Sequence, residues 1–370
     1  MAHGSRLVDL VHERIEEFLA ERTSILRSIS PDLDPVDGFS RRFLSGGKRF
    51  RALFCYWGWQ GVRTNAFDPF EPDGADDRYP VVSAAAALEL FHAAALVHDD
   101  IIDRSDTRRG APSAHRLFEG LHAENGWAGD GAEFGTDAAI LLGDLLLGWS
   151  DEILDEGLDP LADRRAARAA RREYMRMRTE VTAGQYLDIL EERAWLTKPD
   201  HEQRLRAERV ITFKSAKYSI EAPLLIGAAI AGASSAQLEA LRDFGLPLGI
   251  AYQLRDDLLG VFGDPDVTGK PSGDDLREGK RTMLVAIARE RLAPGQRRLL
   301  DELLGDAELT SEQVRMLQRT ITECGAVDEV ERMIADNVAR ATTALEGAPL
   351  SRAARDELGE LAKTVTRRAH

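Results

Sequence analysis

Apolar residues recur at three- and four-residue spacings along nearly the whole chain, which is the signature of helices with one or more buried faces. The spacing predicts helices over roughly 6–28, 41–61, 81–105, 136–155, 161–193, 200–212, 215–233 and 236–262, with several more after 281. No run shows the two-residue alternation of a half-buried strand. The breaks are short and carry Pro, Gly or Asp, at Pro31-Asp32, Gly110-Ala111-Pro112, Pro199-Asp200, Gly263-Asp264-Pro265 and Pro271-Ser272-Gly273. Two longer polar stretches, 65–80 and 123–135, read as surface loops between helices and are too short to be domain linkers. No internal repeat is visible. The pattern predicts an all-α fold, one large helical bundle over 1–370, although length alone favours two or three domains of about 150 residues.

Composition agrees with helix. The chain is 44% hydrophobic but only 6% aromatic, and strand-favouring residues are sparse. A net charge of -15 excludes a general attraction to nucleic acid or anionic lipid. Any phosphate must then be held by a local basic cluster working against the overall field. Cys55 and Cys324 make no disulfide framework and match no metal-ligand spacing, so they read as ordinary thiols of a reducing compartment. The amino-terminal helix carries charges throughout and lacks the apolar core of a signal peptide. The most apolar stretches, 81–98 (broken by Glu89 and His92) and 222–233, fall short of the roughly 20 uncharged residues that span a bilayer. A soluble cytoplasmic protein with no membrane span is expected.

The chemistry concentrates at a few points. The run His98-Asp99-Asp100-Ile101-Ile102-Asp103 closes the longest Ala-rich helix. Asp99 and Asp103 are four apart and project from one helical face, with Asp100 turned one step away. Carboxylates at a helix C-terminus oppose its dipole unless a cation compensates. Oxygen-only donors of this kind suit Mg²⁺, which takes one or two carboxylates and completes its shell with water and substrate phosphates. Late in a second apolar helix, in the run from Tyr252 to Asp257, Asp256 and Asp257 again make a pair of carboxylates. Two helices ending in Asp pairs could face each other across a bundle and share metal ions. Cations supply the other half: Lys48 and Arg51 are three apart after Gly46-Gly47, Arg108 and Arg109 follow the first Asp run, and Lys270 and Lys280 flank the loop between them. Cations interspersed with metal-binding carboxylates imply an anionic ligand bridging the two, and a diphosphate fits. The Gly46-Gly47 pair is not a nucleotide-binding loop, because no strand precedes it and no Lys-Ser/Thr ends it.

In their order and spacing, from about residue 40 to about 290, these motifs resemble the trans-isoprenyl diphosphate synthases, or polyprenyl synthetases, and among them the bacterial geranylgeranyl diphosphate synthases. The resemblance rests on both Asp motifs, on Gly46-Gly47-Lys48-Arg49-Phe50-Arg51, and on Asp106-Thr107-Arg108-Arg109-Gly110. It extends to Gly184-Gln185-Tyr186-Leu187-Asp188, Lys214-Ser215-Ala216-Lys217-Tyr218 and Gly269-Lys270-Pro271-Ser272-Gly273. It implies an isoprenoid-synthase bundle around a central cavity and a head-to-tail condensation of isopentenyl diphosphate with an allylic diphosphate. By position, Asp99, Asp103 and Asp256, with Asp100 and Asp257, would hold Mg²⁺. Arg108 and Lys270 would hold the allylic diphosphate, and Lys48, Arg51, His92 and Arg109 the diphosphate of isopentenyl diphosphate. Lys214, Ser215 and Gln253 would face the reacting centre, and Lys280 would close over it. His98 and His115 read as structural residues. A homodimer is the family expectation. The second motif departs from the pattern at Gly260, where many relatives carry a third Asp, so that role is lost or passes to Asp264.

Along the helix, Ala95 lies roughly 6 Å and Leu88 roughly 16 Å below Asp99. Ala94 and Ala95 are small where short-chain relatives carry an aromatic plug, and Phe91 and Leu88 are candidate floors of the pocket. Geranylgeranyl diphosphate is therefore the expected product, with farnesyl or longer-chain diphosphates as alternatives. A class I terpene cyclase would not need the second diphosphate pocket of Lys48, Arg51 and Arg109, and a non-catalytic partner subunit would tend to lose its Asp ligands.

Overall fold

A computed structural model of the chain describes residues 2–63, 75–108, 110–264 and 272–366. The fold is all-α; among the described residues the strands are one two-residue hairpin, β1 (Thr107–Arg108) with β2 (Ala111–Pro112). The chain divides into two compact units: Met1–Arg171 with Ile226–Ala233, and Arg172–Leu225 with Ser234–His370.

The first unit is built around one helix. Its elements are α1 (Ala2–Ile29), α2 (Asp34–Leu44), α3 (Phe50–Val62), α4 (Ala75–Ile102), the hairpin, α5 (Ala114–Asn125) and α6 (Gly131–Leu158). Helices α1, α3 and α6 all pack on α4. That explains why Val81, Ala84, Ala85, Ala86, Ala87, Leu88 and Leu90 are all fully buried: a helix surrounded by neighbours is apolar on every face. Within α4 the stretch Asp77–Ile102, 26 residues, is long and apolar enough to cross a bilayer by length and composition alone, longer than the 81–98 run that its sequence suggests. Its most apolar window is 78% buried in the protein, as befits a core helix.

The second unit takes most of α7 (Arg164–Ala194), then α8 (Gln203–Val210), a π-helical stretch Ile211–Glu221, α9 (Ala222–Ile230, which passes back to the first unit), and α10 (Ser235–Phe262). Helices α11 (Asp274–Glu278), α12 (Met283–Arg291), α13 (Pro294–Leu303), α14 (Ser311–Glu323), α15 (Ala326–Leu345) and α16 (Arg352–Thr366) complete it. On α10, Leu241, Phe244, Leu248, Ala251, Leu254, Leu258 and Val261 form a fully buried stripe at three- and four-residue steps. The stripe packs on α15 and the π-helix, each large side chain contributing on the order of 1.5–3 kcal/mol. A capping box starts α10: the Ser234 hydroxyl accepts from the Gln237 N–H at 3.3 Å and the Gln237 side chain accepts from the Ser234 N–H at 2.9 Å.

Three elements differ from what the spacing predicts. The helix expected over 41–61 is broken between Leu44 and Phe50. Residues 75–80, expected as loop, are helical and contain Pro80 near the start of α4, while 64–74 lie outside the described residues. The Gly-rich loop at 123–135 shrinks to 126–130, because Asp130 caps α6 by accepting from the N–H groups of Ala132 at 2.8 Å and Glu133 at 3.2 Å.

Candidate active site

In the first unit the end of α4 delivers the carboxylates. The Asp103 N–H donates to the Asp99 carbonyl at 2.8 Å, so helical spacing continues past the last turn and keeps both carboxylates on one face. Glu89, His92, Ala95 and Asp99 along α4 and Asp103 just past its end are all half-buried, whereas Leu88, Phe91 and Ala94 are buried. The accessible stripe of the helix therefore runs from Asp103 down past Ala95 to His92. Asp100, turned off this stripe, is fully buried. The hairpin folds Arg108 back onto it: the Arg108 Nε donates to Asp100 Oδ1 at 2.9 Å, Nη2 also bonds that oxygen, and Nη2 stands 3.7 Å from Asp99 Oδ2. Arg108 thus already neutralises part of the negative charge gathered at a helix C-terminus. His98 points to α6, its Nε2 3.3 Å from the Ile140 carbonyl, and His115 lies beside Ser113, its pKa lowered by burial with Arg116 nearby.

Lys48 and Arg51 are set by the residue between them. Arg49 caps α3 in the left-handed conformation, φ 45°, which costs a non-glycine residue roughly 1–2 kcal/mol. Its buried guanidinium offsets this, donating to the Leu44 carbonyl at 2.8 Å and lying 3.8 Å from Glu89 on α4. With Arg49 turned inward, Lys48 is exposed and Arg51 half-buried at the start of α3.

In the second unit the π-helix carries Lys214 and Ser215, both half-buried. A Cβ on Gly184 of α7 would stand 2.4 Å from the Lys214 backbone nitrogen, so only glycine lets α7 approach this closely. The approach brings Asp188, one turn on, to Lys214 Nζ at 2.6 Å. Lys280 joins the same group, its Nζ 3.4 Å from Asp188, 3.1 Å from Glu192 and 4.0 Å from Glu278. On α10, Gln253 donates its amide Nε2 to Asp257 Oδ1 at 2.7 Å, and Asp256 is half-buried. Asp257 is buried and, among the described residues, its Oδ2 has no hydrogen-bond partner. Burial pushes its carboxyl well above the ordinary range, Gln253 opposes this, and the charges of Asp275, Asp256 and Asp188 push it further up.

The space expected of a third Asp at position 260 is filled from elsewhere. A Cβ on Gly260 would lie 2.0 Å from Asp275 Oδ2. Helix α11 thus places the Asp275 carboxylate where a side chain at 260 would begin, while Asp264, the nearer carboxylate along the chain, is exposed beyond the end of α10.

Among the described residues no group of three His, Cys, Asp or Glu side chains is gathered tightly enough to hold an ion alone. The donors present still fit Mg²⁺: they are carboxylate oxygens, mutually repelling in the second unit, and Mg²⁺ takes only one or two carboxylates besides water and phosphate oxygens. Arg109 and Lys270 lie outside the described residues. Glu192 and Asp275 join the site without having been expected there, and Asp188, named only as part of a motif, gains a partner in it. Their signals were present, since Asp188 and Glu192 are four apart on α7 and Asp275 sits between Lys270 and Lys280.

The chain matches the family profile of polyprenyl synthetase over residues 36–321. It is 32% identical over 332 residues to a geranylfarnesyl diphosphate synthase of Aeropyrum pernix, covering 90% of this chain and 92% of that one. It is 31% identical over 306 residues to a geranylgeranyl diphosphate synthase of Mycobacterium tuberculosis, covering 82% of this chain and 76% of that one. Among solved structures, a geranylgeranyl pyrophosphate synthase from Corynebacterium glutamicum, complexed with isoprenyl diphosphate and magnesium, superposes with a TM-score of 0.90 at 37% identity, covering 98% of this chain and 99% of that one.

Proposed function

This chain belongs to the polyprenyl synthetase family, and from that premise we propose that it condenses isopentenyl diphosphate head to tail with an allylic diphosphate, with geranylgeranyl diphosphate as its main product. It is a prenyltransferase. The observation that carries this reading is the family match across residues 36–321.

Asp99, Asp103 and Asp256 are the residues that would hold Mg²⁺, with Asp100 next to the first two along the chain and Asp257 and Asp275 near the third. Bound Mg²⁺ supplies Lewis-acid stabilisation of the negative charge that collects on the leaving diphosphate. Arg108, released from Asp100, offers a planar fork to the allylic diphosphate. Lys48, Arg51 and His92 bind the diphosphate of isopentenyl diphosphate. As the allylic C–O bond breaks, the double bond of isopentenyl diphosphate attacks the allylic carbon, and one proton then leaves the new chain, with inorganic diphosphate as the other product. Because the NH₂ of Gln253 is committed to Asp257, its amide oxygen is left to meet the developing positive charge, together with the Ser215 hydroxyl. Lys214, tied to Asp188, holds the surrounding charge in place, while Lys280, tied to the same carboxylate, meets the substrate diphosphates as it closes over the site and keeps water from the cation. A second copy of the chain over the exposed Ile140 and Leu141 of α6 belongs to the same proposal, and light scattering of the purified protein tests it.

Product length follows from α4. Ala95 lies on the accessible stripe one turn below Asp99, while Ala94 is fully buried. Ala95→Phe is expected to shift the main product from geranylgeranyl to farnesyl diphosphate, read by chromatography of the dephosphorylated alcohols. An unchanged product distribution would remove Ala95 from the pocket wall. The Aeropyrum pernix relative favours one second reading, a product one isoprene unit longer, and the same chromatogram of the wild-type protein decides it.

A further inference from the structure

Trp195 follows directly on α7 in a single 3-10 turn, Trp195–Thr197. Two guanidinium groups lie over its indole ring, Arg281 at 3.6 Å and Arg289 at 4.9 Å from the centroid. Like charges gathered on one ring need a counter-charge, and Asp301 provides it. Its carboxylate accepts from Arg289 Nε at 2.7 Å and Nη2 at 3.0 Å, and from Arg281 Nη1 at 3.4 Å. Both arginine side chains are almost enclosed, 6% exposed for Arg281 and 8% for Arg289. Burial lowers the pKa of Arg281 to about 10, against the opposing charge of Asp301, so it stays a cation at neutral pH. A desolvated cation on an indole is the strong form of this contact, and the planar guanidinium suits it better than an ammonium.

None of these groups belongs to the site described above, yet the next residue back does. Lys280 precedes Arg281 and follows Gly279, a left-handed glycine with φ 82°. The end of α7 therefore grips two consecutive residues: Asp188 and Glu192 take the Lys280 ammonium, and Trp195, within a turn of Glu192, takes the Arg281 guanidinium. A lysine is a flexible four-carbon stem, and where its charge falls depends on where its backbone is fixed. We propose that Trp195, through its stack with Arg281, is a positioning residue for Lys280. This rests on the reading that Lys280 serves the diphosphate substrates.

The test is a double-mutant cycle on the full-length protein, with kcat and KM for the allylic diphosphate and the melting temperature as readouts. Trp195→Leu in the wild-type background is expected to lower kcat/KM about tenfold, chiefly through KM, and Trp195→Phe, which keeps a ring under Arg281, to restore it to within about twofold. In a Lys280→Gln background the same Trp195→Leu change is expected to alter kcat/KM by less than about twofold, while the fall in melting temperature is alike in both backgrounds. A loss that persists undiminished in the Lys280→Gln background overturns the proposal, because Trp195 then acts on the fold rather than through Lys280. So does a Lys280→Gln protein as active as wild type, which leaves the synthase reading intact but nothing to position. An inert wild-type protein would remove both. Where Trp195→Leu does not fold, Arg281→Lys, which keeps the charge and loses the planar stack, is carried through the same cycle and decided by the same outcomes.

Discussion

Asp99→Ala is expected to lower turnover by about a thousandfold or more with little effect on the stability of the fold. The two halves of this expectation have separate physical causes. Asp99 is half-buried at the C-terminal end of α4, where a carboxylate opposes the negative end of the helix dipole, and Arg108, 3.7 Å away, is already bonded to Asp100. Removing it relieves the opposition to the dipole and gives up the ion pair with Arg108, two effects of opposite sign, so the melting temperature should move by no more than a few degrees. The charge that builds on a leaving diphosphate, by contrast, depends on the metal that Asp99 would hold. A metal ligand of this kind carries several kcal/mol of transition-state stabilisation, and each 1.36 kcal/mol is a factor of ten in rate. Single-turnover rates at saturating Mg²⁺, beside thermal melts, read both halves. A variant within tenfold of wild type would remove Asp99 from the metal site.

Gly260→Asp, which would restore the third Asp of the second motif, is expected to lower kcat/KM about a hundredfold, and adding Asp275→Ala should recover most of it. The Cβ alone would lie 2.0 Å from Asp275 Oδ2 and 2.3 Å from its Cγ. The Asp275 carboxylate is the far end of a side chain and can swing aside, but it then leaves the place the fold gives it. The new carboxylate also joins Asp188, Asp256 and Asp275, whose charges already raise the pKa of Asp257. Truncating Asp275 returns both the room and the charge count, so the double variant carries its third carboxylate from 260 instead of 275. Equal activity of the single variant and wild type would contradict this role for Asp275, as would a double variant no better than the single.

Position 260 also shows where reading the sequence stops. Spacing made the Asp99–Asp103 pair and the stripe from Leu241 to Val261 legible, because both depend on neighbours within a few turns of one helix. The occupant of the space at Gly260 comes from Asp275, beyond a Pro- and Gly-containing connection, and no local pattern announces it; Asp264 is merely the nearer carboxylate along the chain. Arg49 is similar. Periodicity runs a helix straight through 41–61, and the left-handed turn that breaks it is held by a buried contact with Glu89, forty residues on. Gly184 could be read as part of a motif, but its reason, the backbone of Lys214 pressed against it, exists only once α7 and the π-helix are packed.

Chain elongation is the activity on which all these residue roles depend, and stoichiometry tests it most directly. The purified protein is given Mg²⁺, isopentenyl diphosphate and an allylic diphosphate, and isopentenyl groups incorporated are counted against diphosphate released. Elongation requires one diphosphate for each isopentenyl group, geranylgeranyl diphosphate accumulating, and no reaction when isopentenyl diphosphate is left out. Cyclic hydrocarbon from the allylic substrate alone, or no consumption of either substrate, would contradict it.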